Sequence, residues 1–257
     1  MTRRPIQFVC EDVALAGTLD EAHGTTGLLM VSGGNEIRSG SWAGQSQLAA
    51  RIAAAGYPVL RFDRRGIGDS EGENAGFRGQ DADIAAALVA FRSALPQVQR
   101  VVGFGNCDAA SALMLSAAEL GFDALVLANP WVIEAGDESI QDPAAIRQRY
   151  AQKVTDPEEW LRLLRGGVNL RKLASGLRHA IGSAPRSSLA GAMQAGLGGF
   201  GGLATILLAT RDRTAQLFEA AGPADGTPVH RIDSASHSFA DKEAREWLFE
   251  RIIEALD

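Results

Sequence analysis

Cysteine is scarce in this chain: Cys10 and Cys107 are the only two among 257 residues. Two cysteines cannot build a disulfide framework or a cysteine-based zinc site. Counting alone allows one bridge between them. However, Cys10 closes an N-terminal strand pattern and Cys107 stands in a context that reads as chemical, so reduced thiols in a cytoplasmic protein are expected. Long apolar runs are missing as well. The short one after Pro5 is broken by Glu11 and Asp12, too soon for a signal peptide, and nothing elsewhere approaches the roughly 20 apolar residues of a membrane span. There is no basic patch: the formal charge is −6, and Lys and Arg are scattered in pairs such as Arg64-Arg65 and Arg171-Lys172. That argues against nucleic acid as a partner. There is no internal repeat.

Apolar material is ample, at 46% of residues, enough for one continuous core. Its arrangement alternates. Residues 6–10 and 13–19 read as a strand hairpin through Glu11-Asp12, and 27–31 as a strand buried on both faces. A helical pattern follows at 47–55, a strand at 58–62, a helix at 81–95, a strand at 98–104, a helix at 108–120 and a strand at 124–128. Strands alternating with helices of this length imply crossover connections and a mostly parallel sheet covered on both sides. The rhythm pauses over residues 132–202, where helical patterns occur at 143–152 and 157–164, so a helical cap inserted into a single α/β domain (1–257) is expected. The glycine-rich tract 191–202 reads as a flexible return linker, or as a hinge for that cap. The alternation then resumes with strands at 203–209 and 228–232, a helix from Thr214 and a last helix over 242–256.

The stretch Gly103-Phe104-Gly105-Asn106-Cys107-Asp108-Ala109 has the form strand, sharp turn, helix, with small residues two before and two after Cys107. This is the pattern of a nucleophile elbow, with Cys in place of Ser and Ala109 in place of the second Gly. Small flanking residues let a strained turn lift the central side chain into solvent. The following helix terminus favours a thiolate there, partly offset by the charge of Asp108.

An elbow needs an acid and then a histidine further along the chain. His237, between the last strand and the last helix, lies where such loops gather at the carboxyl ends of parallel strands. His23 reads as a solvated turn residue, His179 as part of the insertion and His230 as part of a strand. Asp212 directly follows a strand on the same rim, with helix capping as its other role; Glu134 and Asp137 are the runners-up. The oxyanion donors would be the backbone N–H of Asp108 and one from the loop Ser32-Gly33-Gly34-Asn35, with Gly34 ahead of Asn35. The turn Asp63-Arg64-Arg65-Gly66-Ile67-Gly68 is expected to stand away from substrate, and its incomplete glycine pattern makes a dinucleotide site improbable.

Leu60-Arg-Phe-Asp-Arg-Arg-Gly-Ile-Gly-Asp-Ser-Glu-Gly72, Gly105-Asn-Cys-Asp-Ala109 and Ser236-His-Ser238 together resemble the α/β-hydrolase superfamily, and more narrowly the exosortase A system-associated hydrolases of type 1. The resemblance covers nearly the whole chain. It implies an eight-stranded sheet, a helical cap, a Cys107–His237–Asp212 triad and no cofactor. The cysteine triad also resembles that of dienelactone hydrolases. The expected activity is hydrolysis of a small-molecule ester or thioester through an acyl-enzyme. Acyl transfer by the same triad and a non-catalytic scaffold of hydrolase fold are the alternatives. The sequence names neither the acyl group nor the oligomeric state.

Overall fold

A computed structural model describes residues 2–133, 188–222 and 226–257. Strands β1 (Thr2–Cys10) and β2 (Val13–Glu21) form an antiparallel hairpin, turning at Glu11 with φ 54. Both run past their apolar residues because Arg3 pairs with Asp20 and Arg4 with Glu21, each at 2.6 Å, across the extended ladder. The chain continues through β3 (Thr26–Val31), α1 (Gly44–Ala54), β4 (Val59–Phe62), α2 (Asp81–Ala94), β5 (Arg100–Asn106), α3 (Asp108–Leu115), α4 (Ala117–Leu120) and β6 (Ala124–Ala128). After the undescribed stretch come α5 (Ser188–Gly198), β7 (Leu203–Ala209), α6 (Arg213–Ala221), β8 (Val229–Ile232) and α7 (Lys242–Leu256).

The eight strands form one sheet in the order β1-β2-β4-β3-β5-β6-β7-β8, parallel from β4 to β8. Two cores cover its faces. Helices α1 and α7 supply Ala49, Ile52, Leu248 and Ile252 to one, against Leu28, Met30, Val102 and Val126. Helices α2, α3, α5 and α6 supply Phe91, Leu113, Met193 and Phe218 to the other, against Leu29, Leu60 and Leu125. The chain leaves β3 towards β4 and returns to β5 on the opposite side, so the strand order reverses between β3 and β5. At such a reversal the loops after the two strands part and leave a crevice.

Three expectations are corrected. The strand expected at 98–104 runs from Arg100 to Asn106, because Val98 donates its N–H to Leu95 at 3.0 Å in the turn that closes α2. The helix expected over 108–120 breaks at Ser116 (φ −108, ψ 17). The tract 191–202 is not a loose linker: most of it belongs to α5. Leu189, Ala190, Met193 and Leu197 recur at helical spacing and are buried, and that burial outweighs the low helix propensity of the glycines. Gly196 has a positive function here, since a Cβ on it would lie 2.3 Å from the Met114 carbonyl oxygen. The helices expected at 143–152 and 157–164, and with them most of the 132–202 insertion, lie outside the described residues.

Candidate active site

Strand β5 delivers Cys107 to the crevice. A Cβ at Gly105 would stand 2.7 Å from the Ala109 carbonyl carbon and 2.8 Å from the Ala110 nitrogen, so only glycine lets α3 start this close to the strand. At 109 the methyl group fits and is fully buried. Cys107 itself has φ 62 and ψ −129, a conformation costing a non-glycine residue on the order of 1–3 kcal/mol. It persists because the turn is tied on both sides. Cys107 donates its N–H to Ala128 at 3.0 Å, and its carbonyl accepts from Ser111 at 3.2 Å and Trp131 at 3.3 Å. Cys107 is partly exposed and Cys10 is buried, and both thiols are free. Burial, and then the Asp83 carboxylate, push the Cys10 thiol up from its ordinary value.

His237 comes from the loop between β8 and α7. That loop is braced internally: Ser234 Oγ donates to Asp241 at 2.6 Å, Ser236 N–H to Ser234 Oγ at 3.0 Å and Ala240 N–H to Ser236 Oγ at 2.7 Å. Two side-chain amides hold the His237 carbonyl, Asn106 at 3.2 Å and Asn129 at 3.1 Å. Asn129 is buried and also accepts the Ala209 N–H at 2.9 Å. It thus joins the ends of β6 and β7 to the histidine loop. Neither asparagine was singled out from the sequence, although each closes a parallel strand on the rim that led to Asp212 and His237.

The His237 Nδ1 lies 3.0 Å from Asp212 Oδ2, which leaves Nε2 outside that pairing, and Cys107 acts on the imidazole to hold its proton. The same Oδ2 accepts the Ala215 N–H at 3.1 Å and so caps α6. One oxygen therefore both caps α6 and contacts the His237 ring, so the two readings of Asp212 do not compete for different atoms. Burial works against ionisation of Asp212, but the hydrogen bonds from His237 and Ala215 outweigh it and hold the carboxyl below the usual carboxylate range. The Asp212 hydrogen bond, and then that of Cys107, push His237 up to about 10. Of the other candidates, His23 is exposed and His230 lies in β8; Glu134, Asp137 and His179 lie outside the described residues.

The oxyanion candidates meet in part. Asp108 opens α3, where a first-turn N–H has no partner within the helix. The Gly34 N–H reaches the same place but already donates to the Asp108 carboxylate, at 2.6 Å. Asn35 is exposed, and its Oδ1 accepts from Asn74 at 3.1 Å. The turn after β4 is closer to the site than expected. Arg64 is only 2% exposed, donates to the Gly34 carbonyl and leaves its Nε without a partner. Burial pulls its guanidinium pKa down, against the opposing charges of Asp108 and Asp83. Its place just past the carboxyl end of a parallel strand was the available signal.

A cavity of about 370 Å³ adjoins the site through Asn106 and Ser238, the sequence neighbours of Cys107 and His237, and runs between α1 and α7 past Trp42, Gln45, Phe104 and Phe239. Trp42 Nε1 donates to Ser238 Oγ at 3.2 Å. Among the described residues no cluster of His, Cys, Asp or Glu is disposed to hold a metal ion, and no helix is long and apolar enough to cross a membrane.

This sheet order, the elbow at its reversal point and a histidine loop after the last strand define an α/β-hydrolase fold. Residues 22–251 match the alpha/beta hydrolase family model, and the chain belongs to that family. Solved structures agree in fold. The esterase Pf2001 of Pyrococcus furiosus has a TM-score of 0.61 at 16% identity, over 100% of this chain and 94% of that one. The α/β hydrolase GrgF from Penicillium sp. sh18 has 0.65 at 17%, over 100% and 98%. Est1E from Butyrivibrio proteoclasticus, with ferulic acid bound, has 0.61 at 16%, over 97% and 98%. At such identities the likeness speaks for the fold alone. No curated protein matches the sequence.

Proposed function

We propose that the protein hydrolyses a small-molecule ester or thioester through an acyl-enzyme, with Cys107 as nucleophile, His237 as base and Asp212 as the orienting acid. The observation that carries this reading is the Asp212–His237 pair together with a cysteine held in a strained elbow. His237, with its imidazole raised to about 10, keeps Cys107 as a thiolate, and Sγ bonds to the acyl carbon as the carbonyl electron pair moves onto oxygen. The tetrahedral intermediate then collapses, the bond to the leaving alkoxide or thiolate breaks, and His237 returns its proton to that group. Water, deprotonated by His237, cleaves the thioester and restores the thiol. The backbone N–H of Asp108 faces the developing oxyanion, with Gly34 as the second donor once its present partner has left it.

Thiol chemistry suits activated esters, thioesters and strained lactones better than amides, whose leaving amine needs strong acid assistance. Esterase neighbours in the same fold are consistent with this. Within the family, the Cys107 elbow and the Asp63-to-Gly72 turn favour the type 1 exosortase A system-associated hydrolases, in a cytoplasmic protein.

The test is mass spectrometry of the intact protein with p-nitrophenyl acetate and an acetyl thioester. A single acetyl adduct on Cys107 is expected, lost on standing, and iodoacetamide at neutral pH should modify Cys107 far faster than Cys10. Turnover that persists in Cys107→Ala would refute the cysteine mechanism.

A further inference from the structure

In the Gly33–Asn35 loop, the backbone N–H proposed above as the second oxyanion donor has an unusual partner: the Asp108 carboxylate occupies the Gly34 N–H at 2.6 Å. Gly33 accommodates the arrangement. It is absent from the positive-φ positions, so its backbone does not call for glycine. Yet a Cβ there would lie 2.6 Å from the same Asp108 Oδ1 and 2.7 Å from the Asn106 carbonyl oxygen. Bare backbone here lets the loop close on both the carboxylate and the end of β5. Behind it, buried Arg64 grips the Gly34 carbonyl and keeps an unpartnered Nε, and its charge acts on Asp108.

We infer that the Asp108 side chain is an internal plug of the oxyanion site: it fills the Gly34 N–H in the free protein and must leave it before an acyl oxyanion can form there. This rests on the acyl-hydrolase reading above. The physical reason is charge. A carboxylate and an oxyanion cannot share one donor, because the hydrogen bond to an anion is strong and a second anion beside it is repelled. Substrate binding therefore includes moving one side chain, and Arg64 supplies positive charge to receive it. The plug makes the site selective: acyl groups that bind well enough elsewhere to displace Asp108 react, and small, weakly held esters react slowly.

The test uses Asp108→Ala and Asp108→Asn in the full chain, with formate as the probe. In Asp108→Ala the Gly34 N–H is free, so formate should bind there and shift the Gly34 amide resonance, with no shift in the wild type. Acylation by p-nitrophenyl acetate should rise by about tenfold, the scale of one hydrogen bond to a charged group, and formate should inhibit that gain. Asp108→Asn retains a neutral acceptor and should fall between the two. If instead Asp108→Ala acylates more slowly and formate restores its rate, the carboxylate supports the loop and the plug is overturned. Absence of any formate shift at Gly34 overturns it as well. If formate binds at Gly34 in Asp108→Ala while no variant cleaves any acyl compound, the plug stands as an anion competitor and the hydrolase reading fails.

Discussion

Asn129 donates its side-chain amide to the carbonyl of His237, 108 positions further along the chain, while its Oδ1 accepts the N–H of Ala209. One buried amide thereby sets the height of the histidine over the sheet. Asn129→Ala would strip the Ala209 N–H of its partner and release the His237 loop. A loss of about 1–3 kcal/mol in unfolding free energy is expected from the orphaned donor, together with a fall in kcat. Asn106→Ala removes only the second tether and should cost less in both. Urea melts and steady-state kinetics on the two variants check the order.

Asp212 separates its two roles by substitution. Asp212→Asn keeps an acceptor for the Ala215 N–H but loses the charge opposite His237, so the melting temperature should barely move while kcat falls strongly. Asp212→Ala should show the same kinetic loss and a further destabilisation of about 1 kcal/mol from the missing cap. A thermally weakened but fully active Asp212→Ala would mean that capping is the residue's whole role.

Cys107→Ser is the stringent test of the nucleophile. A hydroxyl is much harder to deprotonate than a thiol, and a loss of about tenfold or more is expected, or at least about 1.4 kcal/mol in the barrier. Binding of an unreactive substrate analogue, read by calorimetry, should be retained.

His237 makes stability depend on pH. Its imidazole is raised to about 10 from 6.5, so the native state holds a proton that the unfolded chain has released. The stabilisation is fully present below about pH 6.5 and is lost as the pH rises through about 10. The side chain is 40% exposed, so solvent keeps the effect modest. The urea midpoint of the wild type should exceed that of His237→Gln most at neutral and lower pH, and the two should converge above about pH 10.

Helix α5 allows a test with two opposite signs. Gly191→Ala meets nothing within 4 Å and should stabilise by about 0.5–1 kcal/mol through helix propensity. Gly196→Ala drives a methyl group into the Met114 carbonyl and should destabilise, because backbone has to move. Thermal melts of the two single variants settle it.

Much of this was legible in the sequence because it is periodic or punctuated. The continuous apolar runs at 27–31 and 124–128 declared buried parallel strands, and Gly105 and Cys107 declared the elbow. Helix α5 was misread because glycine content is a local signal, and the reason for Gly196 is the carbonyl of a residue some eighty positions earlier, which no local pattern reports. Arg64 and Asn129 were missed for a similar cause: each acts by a side-chain hydrogen bond across the sheet rim, a contact set by topology. The Asp108 contact with Gly34 depends on a side-chain torsion and leaves no mark on spacing at all.

The tether between Asn106 and His237 joins groups 131 positions apart, and that distance governs when the site comes into being. A chain made from its N-terminus completes β5, Cys107 and the start of α3 while the histidine loop is still unmade. On the mechanism proposed above, the thiol at that stage would have neither base nor orienting acid. Asp212 follows β7 and His237 follows β8, so reactivity would arrive only once the segment after β7 has docked.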